Sequence, residues 1–503
     1  MSESSLKHNF LSFQGRSRIL HSTWLAFFIT FLVWFSHAPL MSTIKASMGL
    51  TDIEAKILLI LNVALTIPAR IVTGMLVDKY GPRNSYTAML VATAVLCFFF
   101  ASAQSFETLA LAKFLMGFVG AGFVIGIRMI SEWYPANQLG LAEGIYKGMG
   151  NVGSAVGAGT LVYIASLFGG EDGWRYAIAS TGVLALLYSA FYYYAVTDTP
   201  VGSTYFKPNK SGGLELTSKR DFIFCLLFNI PMVAALAILT WRVTDAGVVA
   251  GTGAEVIVGA GLLSDLAAYV IYGLLLALIS YQSWKLFQVN KDMLQSPPMD
   301  EILQYKFKQV AILSIGYAVT FGAELSVISM LAQYFESQFL VAAAAAGVFG
   351  ACFAAVDVLS CPSGGMVSDK FGRKLPLILL LSGASIGFGV MSLITPEWPL
   401  AAVVATMMIC SFFLGSAAGC VFAVVPLVKR KLTGQIAGTV GAYGNVGAVA
   451  FLLVFSFVSP SVFFATIGAG VAFAACCSLF LDEPKKTMAE VMPDGTVQMI
   501  DVH

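Results

Sequence analysis

Six residues that stand inside long apolar stretches of this 503-residue chain are of types that can do chemistry. They are Arg70, Lys147, Asn151, Glu324, Asp357 and Asn445. An ionised side chain at the depth of a lipid bilayer is costly, so it usually faces a cavity and has a partner. The planar donors of a guanidinium suit a flat oxyanion, amide donors hold an anion without trapping it, and buried carboxyls relay protons. Together these side chains predict a site for a small ion inside a membrane domain.

The composition identifies the class of protein that surrounds these residues. Apolar residues make up 58% of the chain and charged residues 11%, against about 45–50% and about 25% in soluble proteins. With 29 basic and 28 acidic residues, the net charge of +1 gives no field that would attract a nucleic acid. The eight cysteines lack zinc-site spacing, and no nucleophile–base pair stands out. We therefore predict a polytopic helical protein of the lipid bilayer, not an enzyme, with no nucleic-acid partner and no cofactor.

Fourteen apolar runs are long enough to cross the bilayer, which takes about 20 residues. They lie near 23–43, 55–77, 85–104, 107–131, 142–168, 176–196, 222–241, 264–287, 308–334, 342–368, 375–395, 399–425, 434–458 and 461–481. Most lysines and arginines between them fall on the side of the N-terminus, and cytoplasmic loops collect such residues. We therefore expect a multi-pass protein of the cytoplasmic (inner) membrane, with cytoplasmic tails at 1–22 and 482–503.

Two motifs occur twice along the chain at nearly the same separation. Residues 74–83 read GMLVDKYGPR and residues 365–374 read GMVSDKFGRK. Residues 144–153 read GIYKGMGNVG and residues 441–447 read GAYGNVG. A chain that repeats two helix-associated motifs in the same order is built from two related halves.

The first repeat resembles the loop between the second and third helices of each half of major facilitator superfamily transporters. The resemblance implies an all-α fold of two six-helix halves, at 23–196 and 308–481. The two remaining apolar runs predict a two-helix insert at about 222–287 between cytoplasmic linkers in 197–307. The resemblance also implies close helix packing at two glycines and a cytoplasmic gate latched by charged residues. These gating residues are Gly74, Asp78, Arg83, Gly365, Asp369 and Arg373.

The second repeat resembles the nitrate signature of the nitrate/nitrite porter family. Other segments agree with that family, among them HAPL at 37–40, FGAEL at 321–325 and VVPLVKRK at 424–431. The resemblance implies a monomeric secondary transporter that moves nitrate or nitrite by alternating access, with proton symport or anion exchange. It implies a substrate-binding arginine at Arg70, which lies eight residues before Asp78 and so roughly 12 Å into the bilayer. The predicted substrate-binding residues are Arg70, Tyr146, Lys147, Asn151, Tyr443 and Asn445, with Glu324 and Asp357 as proton-coupling residues.

The chain departs from the family at the second-half position that corresponds to Arg70, because Cys361 stands where an arginine is usual. Lys147 is one source of the missing positive charge, or it neutralises Glu143 or Asp357. If the intramembrane carboxylates stay ionised, a cationic or neutral substrate becomes credible. The alternatives are therefore a transporter of another small solute, such as bicarbonate or an organic ion, and a non-transporting sensor or assembly factor on the same scaffold.

Overall fold

The computed structural model describes residues 10, 12–51, 54–55, 58, 61, 63–210, 212–244, 263–297, 304–455, 457–484, 487–491 and 497–501. Within these residues the helices are α1 (Gly15–Phe35), α2 (His37–Met48), α3 (Thr66–Tyr80), α4 (Pro82–Ser102), α5 (Phe106–Met116), α6 (Gly122–Trp133), α7 (Ala136–Phe168), α8 (Gly173–Ala195), α9 (Lys219–Thr244), α10 (Asp265–Gln295), α11 (Phe307–Phe339), α12 (Ala343–Ala355), α13 (Asp357–Phe371), α14 (Lys374–Ser392), α15 (Leu400–Val428), α16 (Thr433–Phe455) and α17 (Pro460–Ser478). Two short 3-10 helices, Gly117–Ala121 and Arg430–Leu432, precede α6 and α16.

The described helices include 13 segments that are long and apolar enough to cross a membrane. The predicted run at 55–77 lies partly outside the described residues, and its second part continues as α3. The prediction of a helical, polytopic membrane protein is confirmed. One departure lies in the C-terminal tail, where β1 (Thr487–Val491) and β2 (Val497–Asp501) pair as an antiparallel hairpin.

Three of the membrane-spanning segments are interrupted within the part of the chain that the structure describes. The first span breaks at Ser36 between α1 and α2, and another breaks at Val356, so that Asp357 opens α13. The 3-10 segment Gly117–Ala121 leaves carbonyl groups that accept hydrogen bonds from Thr66 and Arg70. Irregular backbone is tolerated at this depth only where protein groups satisfy it. Two of the breaks therefore place acceptors and a carboxyl beside the candidate site.

The two halves meet along glycine-lined helix pairs. Helix α7 of the first half packs against α13 of the second, and α16 packs against α3. A Cβ at Gly148 would lie 2.5 Å from the Asp357 carbonyl oxygen, and a Cβ at Gly438 would lie 2.5 Å from the Arg70 carbonyl oxygen. Glycine is needed at both positions because the backbones approach too closely for any side chain.

The insert helices α9 and α10 lie at the periphery of the bundle. Helix α9 packs against α16 and α11, whereas α10 packs mainly against α9 and leaves most of its surface exposed. At the end of α10, the Asn290 side chain accepts from Leu216 N at 2.7 Å and donates to the Leu214 carbonyl at 2.9 Å. The insert thereby holds the segment that joins the two halves.

Candidate functional site

Arg70 lies in the interior of the bundle on α3, with 1% of its surface exposed. Its Nε donates to the Gly120 carbonyl at 3.3 Å and its Nη1 to the Gly441 carbonyl at 2.5 Å. The first acceptor belongs to the first half and the second belongs to α16. No carboxylate pairs with this guanidinium among the residues that the structure describes. Arg70 is therefore a buried cation held by neutral carbonyl groups.

Aromatic rings surround this guanidinium. Its carbon lies 5.7 Å from the Phe123 ring centre and 5.2 Å from that of Phe321, distances at which cations are attracted to aromatic faces. The Tyr317 ring stacks on Phe321 with centroids 5.2 Å apart, and Tyr317 lies close to Arg70. Sequence reasoning missed these three rings, because an aromatic residue in an apolar helix is indistinguishable from a packing residue until its neighbours are known.

Lys147 lies at the centre of a second cluster, where α7 meets α11 and α13. Its Nζ lies 3.0 Å from Asp357 Oδ2, 3.4 Å from Glu324 Oε2 and 3.4 Å from Cys361 Sγ. The Asn151 amide donates to Asp357 Oδ2 at 2.7 Å and lies 3.5 Å from Glu324 Oε1. The structure thus brings together four of the predicted site residues, and two carboxyl groups share one ammonium group.

The geometry resolves the alternatives for Lys147. Its ammonium reaches the Cys361 position, where the family carries an arginine, and it also pairs with Asp357. It does not pair with Glu143, since neither carboxyl oxygen of that residue has a hydrogen-bond partner in the described part of the chain. Tyr317 lies near both Arg70 and Lys147, so it stands between the two clusters.

Asn445 is buried and lies one turn beyond Gly441 on α16. Its Nδ2 is 3.5 Å from the Gly441 carbonyl that also accepts from Arg70, and its Oδ1 has no hydrogen-bond partner within the described residues. Asn445 therefore lies next to the Arg70 cluster, and its Oδ1 is an unused hydrogen-bond acceptor within the described residues.

The structure does not bring the two predicted tyrosines together. Tyr146 is fully buried behind Phe123, stacks on that ring with centroids 5.8 Å apart and donates to the Phe123 carbonyl at 3.0 Å. Tyr443 stacks on Phe228 of the insert with centroids 4.3 Å apart and donates its hydroxyl to the Phe228 carbonyl. Tyr146 thus supports a wall of the Arg70 cluster, whereas Tyr443 contacts the insert.

Comparison with known proteins bears on the origin of this arrangement. The profile of the Major Facilitator Superfamily matches residues 23–290. The nitrate/nitrite transporter NrtP of a Picosynechococcus species is 42% identical over 534 positions, which cover 97% of each chain. The NrtP of Nostoc punctiforme is 39% identical over 487 positions, 95% of each chain. This chain belongs to the nitrate/nitrite porter family of the major facilitator superfamily.

Solved structures agree with this porter's fold. The proton:xylose symporter XylE superposes with a TM-score of 0.59 over 93% of this chain and 97% of its own, at 16% identity. At that identity the likeness concerns the fold alone.

A relative less similar in sequence than the two NrtP proteins, the high-affinity nitrate transporter 2.3 of rice (Oryza sativa subsp. japonica), is 27% identical over 85% of this chain and 70% of its own.

The two loop motifs of the porter lie at one end of the bundle, which we call the basic end. Asp78 accepts from Gly434 N at 2.8 Å and Gln435 N at 2.9 Å, and Arg128 Nε lies 3.3 Å from its carboxylate. Asp78 therefore caps the N-terminus of α16, a helix of the opposite half. A carboxylate at a helix N-terminus satisfies free N–H groups and the positive end of the helix dipole.

The second motif makes a similar contact in the opposite direction, but its carboxylate binds N–H groups in the second turn of the helix rather than the first. Asp369 accepts from Gly140 N at 2.9 Å and Leu141 N at 2.8 Å, near the start of α7, and Arg373 Nη1 lies 2.5 Å from its carboxylate. The two aspartates of the porter thus close the basic end by reciprocal hydrogen bonds between the halves.

The predicted gating glycines, Gly74 and Gly365, lie in these contacts between the halves, but the predicted arginine Arg83 does not. Gly74 packs against Gly434 and Gly365 packs against Gly140. Arg83 stays within its own half, where its Nε donates to the Tyr193 carbonyl oxygen at 2.7 Å; its backbone N donates to Asp198 Oδ1 of the following linker at 2.7 Å. Burial raises the pKa of Asp198 above its usual value in spite of that bond. Arg128 occupies the place beside Asp78, and nothing in its sequence context identified it as the partner.

Proposed function

We propose that this protein carries nitrate and nitrite across the cytoplasmic membrane by alternating access of its two six-helix halves, 23–196 and 308–481. In this proposal both termini and the basic end face the cytoplasm, and the monomer is the transporting unit. The names of the relatives support the substrate, and the many lysines and arginines at the basic end support the orientation. The single observation that carries the proposal is Arg70, a buried guanidinium without a carboxylate partner in the described residues.

The surroundings of Arg70 suit a flat anion. A guanidinium presents coplanar N–H groups to trigonal oxygens, and the flanking rings of Phe123 and Phe321 carry no negative charge that would compete with the anion. The bond from Nη1 to the Gly441 carbonyl crosses between the halves. An anion that takes over this donor therefore loosens one contact between α3 and α16, which links occupancy to the movement of the halves.

The Lys147 cluster supports proton symport as the mode of coupling. While Asp357 and Glu324 hold the Lys147 ammonium, it is not free to attract an anion. A proton that binds to Asp357 or Glu324 weakens the attraction between this carboxyl pair and the Lys147 ammonium. The ammonium charge near Tyr317 and Arg70 is then less compensated. The proton and the anion thus favour each other's binding. Exchange of one anion for another requires only the Arg70 site and remains available without proton movement.

The test is uptake of labelled nitrate and nitrite into proteoliposomes, with and without an inward proton gradient, by wild type and Arg70→Lys. Lysine keeps the charge but loses the paired donors. Loss of one charge-assisted hydrogen bond, worth about 1.5–3 kcal/mol, should weaken anion binding roughly 10- to 150-fold. Arg242→Lys, at the end of insert helix α9, is the matched control and should transport normally. Equal uptake by wild type and Arg70→Lys, or no uptake of either anion by correctly inserted wild type, would contradict the proposal.

A further inference from the structure

Glu143 is a buried acid that neither cluster uses. Its surface is wholly buried, and both of its carboxyl oxygens lack a hydrogen-bond partner within the described residues. A carboxylate in such surroundings is unfavourable by several kcal/mol or more, whereas a neutral carboxylic acid is tolerated. Glu143 therefore carries its proton in this conformation.

Glu143 lies on α7 between the Lys147 cluster and the basic end. It lies three residues after Gly140, whose N–H is held by Asp369, and four residues before Lys147. Along a helix these separations are roughly 4.5 Å and 6 Å. Opening of the basic end breaks the hydrogen bonds from Gly140 and Leu141 to Asp369. Glu143 is then the first acidic group of α7 that water reaches from that side.

Lys147 has a second partner available in Glu143. A glutamate four residues before a lysine is the favourable orientation for an ion pair on a helix surface. In this structure the ammonium points instead to Asp357 and Glu324. Once those carboxyls have taken up a proton, the ammonium is free to turn towards Glu143 and to stabilise its carboxylate.

Other titratable or charged groups do not occupy this role. Those near the first turns of α7, on the helices packed against it and the adjoining loop, are Arg16, Arg18, His21, Arg128, Glu132, Tyr188, Tyr192, Cys361, Asp369, Lys370, Arg373 and Cys420. None of them gives Glu143 a hydrogen bond or ion pair in the described structure. On α7 itself the flanking groups are Tyr146 and Lys147.

We propose that Glu143 exchanges protons with the solution at the basic end during transport. It holds a proton while that end is shut; when the end opens, the proton passes from a carboxyl oxygen to water and the carboxylate pairs with Lys147. As Lys147 returns to Asp357 and Glu324, their proton passes to Glu143 and the cycle is restored. This inference rests on the proposed function, since it describes the cytoplasmic exit of the symported proton.

The test measures two activities of Glu143→Gln in proteoliposomes: exchange of internal nitrate for labelled external nitrate, and nitrate-dependent proton flux reported by a pH-sensitive dye. Glutamine mimics the protonated acid, so we expect exchange to persist and proton flux and gradient-driven accumulation to be lost. Glu171→Gln, an exposed glutamate in the turn after α7, is the matched control and should retain both. Wild-type proton flux in Glu143→Gln would overturn the inference.

The outcomes separate this inference from the proposed function. If wild type shows neither exchange nor uptake, the proposed function fails; if wild type exchanges nitrate without any proton flux, the role of Glu143 fails and anion transport stands. Infrared spectroscopy gives a second test that does not depend on transport. A carboxylic acid band that disappears in Glu143→Gln and shifts in Glu143→Asp is expected, and its absence from wild type would overturn the inference.

Discussion

At the scale of single residues, the chemistry of this porter depends on how two buried cations are compensated. Arg70 is held by carbonyls and rings and keeps its charge available, whereas Lys147 is held by two carboxyl groups. Removing one partner of a buried ion pair is costly because the other is left uncompensated. The difference between the two cations can therefore be measured through stability.

Replacement of Lys147 by methionine should destabilise the protein at neutral pH by about 3–5 kcal/mol, because two buried carboxyls lose their cation. As pH falls, those carboxyls take up protons and the deficit relative to wild type should shrink. The measurement is thermal unfolding of the purified variants across a pH series.

The control for this experiment is Lys113→Met. Lys113 is also fully buried, but it contacts the Trp34 carbonyl and the His37 ring and has no carboxylate partner among the described residues. Combined with His37→Gln, which removes the titratable ring beside it, Lys113→Met should therefore show no recovery of stability in acid. A Lys147→Met deficit that does not change with pH would show that the carboxyl pair is not what Lys147 compensates.

At the scale of helices, close backbone contact between the halves positions the site. Helix α7 carries Gly144, Lys147, Gly148 and Asn151, and the glycines let it approach α13 until Lys147 and Asn151 reach Asp357. The spacing of glycines along α7 therefore decides whether the cluster can form.

Replacement of Gly148 by alanine should separate α7 from α13, because the new Cβ would lie 2.5 Å from the Asp357 carbonyl oxygen. Overpacking of this kind costs about 1–3 kcal/mol, and we expect lower thermal stability with loss of proton-driven nitrate uptake. Gly159→Ala, on the same helix with nothing within 4 Å of the added Cβ, should behave as wild type. Equal uptake by the two alanine variants would refute this role for Gly148.

At the scale of the whole molecule, the two halves are held together at the basic end by aspartates that each accept hydrogen bonds from a helix of the opposite half. Asp78 binds the first turn of α16 and Asp369 binds the second turn of α7. Beside them, Glu132 pairs with Arg430 of the opposite half. Alternating access requires the hydrogen bonds of Asp78 and of Asp369 to break together.

Replacement of Asp369 by asparagine should shift the porter towards a conformation open at the basic end. The change removes the charge opposite Arg373 and one acceptor for the N–H groups of α7, a loss of about 1–2 kcal/mol, or roughly 5- to 30-fold in the ratio of open to shut molecules. Spin labels at the exposed positions 79 and 370, one on each half, would report a longer distance.

Asp482→Asn is the matched control for this shift. Asp482, which directly follows the second half, pairs with Lys306 and Lys308 at the start of that same half, and the pairs are partly exposed, so their loss should leave the distance distribution unchanged. An Asp369→Asn distribution identical to that of wild type would mean that other contacts keep the basic end shut.

The sequence by itself determined the class and the architecture of this protein. Apolar length and the distribution of basic residues indicate a polytopic membrane protein, because both follow from the free energy of the bilayer and need no tertiary contact. The repeated motifs at 74–83 and 365–374 singled out Asp78 and Asp369, which the structure places in contacts between the halves, since both motifs keep the same order of residue types.

Only the tertiary structure decided which side chains meet. Lys147 pairs with Asp357 and Glu324 rather than Glu143, Arg128 rather than Arg83 lies beside Asp78, and Tyr443 contacts the insert. Each outcome depends on the rotation and depth of helices that are far apart in sequence. A shift of one residue turns a helical side chain by about 100°, so helical spacing alone leaves its partner open.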